Sequence, residues 1–280
     1  MKEKTSWTGA LCMFLASVCF STGGLLVKLI PWSALAINGA RNLTGAAVIG
    51  AYLLARRHKP VFNKAVALGA LSLIGVTSLF TVANKLTTAA NAIVLQFTAP
   101  VFVIVFMALF FHTRPTRADL GACAAVLAGV VLFFIDGLQA GNLTGNLVAI
   151  LSGVCYAGVF LMNASENADA LSSCFFGQLA AGVAFTPLCL RETDYSASTL
   201  LAVLALGAVQ VGLAYILFSE GIRRTAPVTA SLITGLEPVM NPLWVALFYG
   251  ETVSPLAAAG AAIVVGSIVA YNIHVQKKSE

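Results

Sequence analysis

The chain carries the same apolar text twice, in order and at nearly constant spacing, and this constrains its fold more than any other feature. Gly9-Ala-Leu-Cys-Met-Phe-Leu-Ala-Ser-Val-Cys-Phe20 lies over Gly145-Asn-Leu-Val-Ala-Ile-Leu-Ser-Gly-Val-Cys-Tyr156, 136 residues on. Asn91-Ala-Ile-Val-Leu-Gln-Phe-Thr-Ala-Pro-Val-Phe102 lies over Thr229-Ala-Ser-Leu-Ile-Thr-Gly-Leu-Glu-Pro-Val-Met240, 138 residues on, and Ala108-Leu-Phe-Phe111 then falls on Ala246-Leu-Phe-Tyr249. Each copy has room for five apolar helices. An odd number of crossings makes the second copy enter a membrane from the opposite side.

The balance of residues agrees with a membrane location. Hydrophobic residues make up 59% of the 280 and charged residues 10%, whereas a soluble domain carries roughly 25% charge. The expected fold is an all-α integral membrane protein of ten transmembrane helices, arranged as two inverted five-helix repeats over residues 1–138 and 139–280. The spans are expected near 8–29, 32–54, 64–84, 89–111, 118–135, 144–163, 170–190, 198–219, 227–249 and 255–273, each close to the ~20 residues that cross the hydrocarbon core. They leave no room for a separate soluble domain. Lys2 and Lys4 precede an apolar run too long for a signal peptide and lacking a small-residue cleavage site, so that run reads as the first span. Pro31, Pro60, Pro227 and Pro255 sit near expected helix starts, where a missing N–H is tolerated.

Charge orients the bundle. With the N-terminus in the cytoplasm, inside segments hold Lys2, Lys4, Arg56, Arg57, Lys59, Lys64, Arg114, Arg117, Arg223, Arg224, Lys277 and Lys278, against only Lys28, Lys85 and Arg191 outside. That bias places both termini inside. The basic residues face anionic headgroups, and no motif points to nucleic acid. The six cysteines lack metal-ligand spacing and read as small apolar residues. No cofactor is implied.

Leu236-Glu237-Pro238-Val239 with Tyr249-Gly250-Glu251 beyond it, the first-half counterpart Phe97-Thr98-Ala99-Pro100-Val101 with Lys85-Leu-Thr-Thr-Ala-Ala-Asn-Ala92 leading in, and Arg41 in the second span resemble the drug/metabolite transporter superfamily, in its EamA-type ten-helix branch. The likeness covers essentially the whole chain. The first copy departs from the pattern with Ala99 in place of the glutamate and His112-Thr113 in place of Gly250-Glu251. The resemblance implies a central cavity lined by spans one, three, four, six, eight and nine, and alternating access by rocking of the two halves. Amino acids, nucleotide precursors, amines and drugs are all substrates within such a family.

Glu237 falls near the middle of span nine, where a charge costs ~2.5–3.5 kcal/mol even on the lenient insertion scale. Pro238 beside it and Pro242 one turn on leave carbonyls without helical partners, and Pro100 puts a similar break in span four. Such backbone belongs against a cavity or other helices, not lipid. Two readings stand for Glu237: cation ligand or proton carrier, and anchor of an interhelical network. Arg41 is either an anchor, with Glu237 or backbone carbonyls as partner, or a counter-ion for a substrate carboxylate. Glu220 reaches Arg223 and Arg224 at helical spacing, as a solvated ion pair or a cytoplasmic gate, and Lys85 is its outer counterpart. Ser21, Thr22, Asn163, Gln178 and Gln210 are interior polar residues, with Gln96, Thr98, Asn84 and Asn241 the cavity-lining candidates among their kind. Phe20 with Tyr156, Phe80 with Phe218, and Tyr215 one turn before Phe218 are aromatic candidates, for packing or for stacking on solute. Small residues at four-residue spacing, Gly121, Ala125, Gly129 and Ala258, Ala262, Gly266, permit close approach within the protomer or in a homodimer.

These features point to a secondary transporter of a small organic solute, an amino acid or related metabolite moved outward, with protons as a candidate coupling partner and Glu237 as their carrier. No phosphate-binding loop is present for direct ATP use. An uncoupled facilitator or channel for small metabolites or amines is the main alternative. An integral membrane enzyme is disfavoured, because His58, His112 and His274 are isolated in the sequence and no His-Glu-x-x-His or Gly-x-Ser-x-Gly motif appears. The expected location is a bacterial inner membrane, crossed many times.

Overall fold

The structure, a computed structural model, describes residues 6–27, 29–138, 142–162, 167–249 and 254–279. Side chains of Asn84, Lys85, Asn241 and Pro242 lie outside the described residues, as do Asn163, Gly250 and Glu251.

Every described element is a helix. In chain order they are α1 (Trp7–Ser21), α2 (Gly23–Val27), α3 (Ala34–Ala55), α4 (Lys64–Leu86), α5 (Ala89–Gln96), α6 (Ala99–Phe111), α7 (Arg117–Phe134), α8 (Leu143–Phe160), α9 (Ala170–Phe185), α10 (Ala197–Ala205), α11 (Ala214–Ile222), α12 (Pro227–Ile233), α13 (Glu237–Tyr249) and α14 (Pro255–Ser279). A π-helical stretch, Leu206–Leu213, joins α10 to α11, and a 3-10 turn, Thr234–Leu236, joins α12 to α13. Among the described residues, seven helical stretches are long and apolar enough to cross a membrane, and only 28–44% of each is buried inside the protein. The remainder needs an apolar solvent: Leu54, Leu143 and Leu190 are 81%, 74% and 84% exposed.

Helix starts follow local chemistry. Ser6, Asn63, Thr88, Thr116, Asn142, Asp169 and Ser196 each cap the helix that follows with a side-chain oxygen, satisfying a backbone N–H that the helix cannot. Thr116 and Asp119 form a reciprocal capping box. Asn142, part of an Asn-Leu-Thr triplet, accepts from Thr144 N at 2.8 Å and Gly145 N at 3.3 Å.

Packing partners are exchanged between the halves. α1 packs on α11, while their repeat counterparts, α8 and α4, pack on each other; α3 packs on α9 and α7 on α14. The last pair meets at Gly129 and Gly260, where a Cβ on Gly260 would stand 2.6 Å from the Gly129 carbonyl oxygen. Gly121 and Gly266 of the small-residue stripes face open space.

The expected long spans are interrupted. Pro100 has no N–H to give to the carbonyl of Gln96, so α5 stops there and α6 restarts at Ala99. The Thr98 hydroxyl donates to the neighbouring carbonyl, Leu95 O, at 2.6 Å. Pro238 does the same to the carbonyl of Thr234, and the 3-10 turn precedes it. The first span also breaks, at Thr22, whose hydroxyl donates to Cys19 O at 2.7 Å.

Candidate functional site

The interruptions converge on one interior region. Glu237 is the first residue of α13, and the Tyr156 hydroxyl of α8 donates to its Oε2 at 3.3 Å. Thr234, in the preceding 3-10 turn, also lies against that phenol. Tyr156 heads a row of rings: Phe97 edge-on at 6.0 Å, Phe160 at 4.8 Å, then Phe218 at 5.7 Å from Phe160. Phe20 and Tyr215 close the row, 4.9 Å apart and edge-to-face, with Phe218 6.3 Å and 6.0 Å from them. Spans one, four, six and eight of the expected arrangement thus contribute one aromatic wall beside the carboxylate.

Arg41, on α3, lies near Tyr215 and Glu237. Its Nε and Nη2 donate to Asn38 Oδ1 at 3.2 and 2.8 Å, and its Nη1 to Gln210 Oε1 at 3.4 Å. Gln210 stands on the π-helical stretch, whose extra residue per turn swings it toward α3; such bulges gather at functional sites. Gly23 leaves room for its amide, since a Cβ there would come within 3.1 Å of Gln210 Nε2. A guanidinium has five N–H donors. Three are used here, leaving one on each terminal nitrogen.

Glu237 and Arg41 are near enough to feel each other's charge, yet no ion pair joins them among the described residues. Both lie among packed helices and both keep some accessible surface. At 1.5 Å per residue, Arg41 is ~10 Å from the start of α3 and Glu237 ~15 Å from the start of α12 at the opposite end.

Other candidates are placed as follows. Gln96 is buried and donates to Ser152 Oγ at 3.2 Å, a packing contact between α5 and α8. Phe80 packs against a cluster of Ala83, Ala92 and Ala149. Glu220 bonds Arg223 at 3.2 Å and approaches Arg224 at 3.7 Å, the local ion pair that helical spacing suggests. Gln178 is wholly buried, and neither amide atom makes a hydrogen bond of full geometry, although Tyr215 is adjacent. Histidine isolation needs correction: His58 Nε2 meets Asp169 Oδ2 at 2.5 Å, across 111 residues of sequence.

Three contributors were not singled out from the sequence. Asn38 holds the Arg41 fork, and its position three residues earlier on the same helix was the available signal. Phe160 sits one turn from Tyr156 on the same face. Trp244 donates from Nε1 to Ser21 Oγ at 2.8 Å, tying α13 to α1, and nothing local announces that contact.

The family model of the EamA-like transporter family matches twice, over residues 7–135 and 143–273. The threonine/homoserine exporter RhtA of Escherichia coli (strain K12) is 24% identical over 296 residues, covering 100% of this chain and 96% of that one. An uncharacterized transporter of Bacillus subtilis (strain 168), YwfM, is 28% identical over 269 residues, with 91% and 90% covered. A protein of known crystal structure, 22% identical, superposes with a TM-score of 0.83 over 96% of this chain and 98% of its own, a likeness of fold. With apolar helices that need lipid on their outer faces and a family match on both halves, the chain is a multi-pass membrane transporter, not an enzyme, and belongs to the EamA-like transporter family.

Proposed function

We propose that this chain is a secondary exporter of a small zwitterionic solute, an amino acid or close relative, and that Glu237 and Arg41 hold the two ends of it. The observation that carries this reading is a carboxylate and a guanidinium among packed helices, near enough to feel each other's charge without an ion pair among the described residues, each partly accessible and with hydrogen-bonding capacity to spare. An α-amino acid offers an ammonium for Glu237 and a carboxylate for the two remaining N–H groups of Arg41. The rings of Tyr156, Phe160, Phe218, Phe20 and Tyr215 supply the apolar wall for its side chain. The name of the Escherichia coli relative, a threonine/homoserine exporter, supports the same substrate class.

In this reading the ten spans form two inverted five-helix repeats, 1–138 and 139–280, with both termini in the cytoplasm of a bacterial plasma membrane. The exchange of packing partners between halves supports the repeat. The gathering of Arg56, Arg57, Lys59, Lys64, Arg223 and Arg224 at one end of the bundle supports the orientation. Rocking of the halves about the interrupted helices opens the site to each side in turn, and Glu237 exchanges its solute for a proton on the outer side.

The test is efflux of labelled amino acids and small amines from preloaded proteoliposomes, with and without a pH gradient, for wild type and Glu237→Gln. We expect gradient-driven efflux of one amino acid class in wild type and loss of the gradient dependence in the variant. Equal efflux in both proteins at every gradient would make Glu237 structural and the protein a facilitator.

A further inference from the structure

A cavity of about 470 Å³ opens at the end of the bundle where α3 and α11 stop and α9 begins. Arg56, Arg57 and His58 line it from α3 and its turn, Asp169 from α9, and Glu220 and Arg223 from α11. Both acids are already engaged. Asp169 caps α9 through Ser172 N at 3.1 Å and holds His58; Glu220 holds Arg223 and Arg224. Arg56 lies over the Tyr52 ring, 5.8 Å from its centroid, a contact that leaves its N–H groups free. The Arg57 side chain bonds no described residue.

Arg57 also occupies a backbone position that favours glycine. Its φ is 51°, in the left-handed region, shared among described non-glycine residues only by His112. Arg57 N donates to Leu54 O at 3.0 Å and His58 N to Leu53 O at 2.9 Å, the paired bonds of a helix end that usually carries glycine where Arg57 stands. A guanidinium is kept at the cavity lip against the preference of its own backbone. Leu54, two residues before Arg56 on α3, is 81% exposed, an apolar surface suited to lipid chains.

We propose that this cavity binds the phosphate of an anionic phospholipid from the adjoining leaflet, with Arg56 and Arg57 donating to its oxygens and an acyl chain lying along the Leu54 side of α3. Guanidinium forks match phosphate oxygens in pairs, and basic groups at this depth meet anionic headgroups first. The cavity is several times larger than inorganic phosphate, which fits a headgroup with its glycerol. The bound lipid bridges α3 of the first half to α9 and α11 of the second.

Thermal unfolding of the purified full-length chain in detergent tests this, with added phosphatidylglycerol, phosphatidylcholine or glycerol 1-phosphate. Phosphatidylglycerol should raise the wild-type midpoint by several degrees, and the other two should not. Arg57→Gly should unfold at or above the wild-type midpoint without lipid, because glycine relieves the left-handed strain, yet lose most of the phosphatidylglycerol shift; Arg56→Gln, with unstrained backbone, should lose it too. A full shift in both variants, or none in wild type, overturns the proposal. An equal shift with glycerol 1-phosphate overturns the lipid assignment in favour of a soluble phosphate, and an equal shift with phosphatidylcholine overturns the requirement for an anionic headgroup.

Discussion

Arg41→Lys separates a carboxylate-reading role from a structural one. Arg41 spends three of its five N–H donors on Asn38 and Gln210, so two remain for a ligand. A hydrogen bond to a charged group contributes ~1.5–3 kcal/mol net, so two at the lower bound give ~3 kcal/mol, or roughly 150-fold in affinity. Lysine keeps the charge but not the planar fork, so part of the attraction survives and a tenfold to hundredfold loss is expected. The loss should be selective. An amino acid depends on Arg41, whereas the amine left by removing its carboxylate does not. The assay is competition by each compound against efflux of a labelled amino acid from proteoliposomes. We expect half-inhibition by the amino acid to shift about tenfold to hundredfold and half-inhibition by the amine to stay within about threefold, or ~0.7 kcal/mol. If both shift together, Arg41 acts on the site's architecture through Asn38 and Gln210 and the carboxylate assignment is wrong. If neither shifts, Arg41 does not face the solute.

Gly207→Ala tests the contact that seats the π-helical stretch on α3: the new Cβ would stand 2.4 Å from Thr44 Cβ and 2.9 Å from Arg41 O, so overpacking should cost ~1–3 kcal/mol, seen as a lower unfolding midpoint together with weaker amino-acid efflux. Gln178→Met removes a buried amide that lacks a full hydrogen bond while keeping its volume; a gain of ~1 kcal/mol in unfolding free energy is expected, and a loss would show that a partner satisfies the amide in the membrane. The hydroxyl of Thr199 first, and then the backbone N–H and hydroxyl of Ser196, hold the Asp194 carboxyl below the usual aspartate range. Its stabilising contribution to the 192–199 turn should therefore be complete above the ordinary aspartate pKa and vanish only as pH falls through the lowered value. Fluorescence of Trp32, which donates to Asp194 O at 2.7 Å and packs on Tyr195, reports it; a change already complete near neutral pH would refute the assignment.

What could be read from the sequence is what the chain does within one helix or one repeat. Proline has no N–H wherever it folds, so the breaks at Pro100 and Pro238 were legible. Glu220 sits three and four residues before two arginines, so its ion pairs were legible as well. The partners of the interior charges were not, because they arise between helices far apart in the chain: Tyr156 and Glu237 are 81 residues apart, Arg41 and Gln210 169, Trp244 and Ser21 223. Apolar helices carry almost no rotational information, since lipid and core favour the same side chains. The resemblance between Phe80 and Phe218 in register therefore said nothing about which one would join the wall. His58 and Asp169 meet only because α3 packs on α9.

The site gathers where helical hydrogen bonding fails, and the two facts have one cause. The proposed substrate, with two charges, needs polar partners at a depth where an unpaired polar group is costly. Side chains can supply some of them, as Tyr156, Asn38 and Gln210 do, but a regular helix has already committed its backbone to itself. Interruptions at Pro100, at Pro238 and along Leu206–Leu213 release backbone groups and turn polar side chains inward without adding further charge. They also weaken the stiffness of the spans at mid-depth, where the proposed rocking of the bundle would bend them. Both copies of the repeat therefore keep a proline at the same register, while only the second copy adds the carboxylate. In the proposed reading one charge of each sign serves one zwitterion, and a second glutamate at Ala99 would have no substrate ammonium to meet.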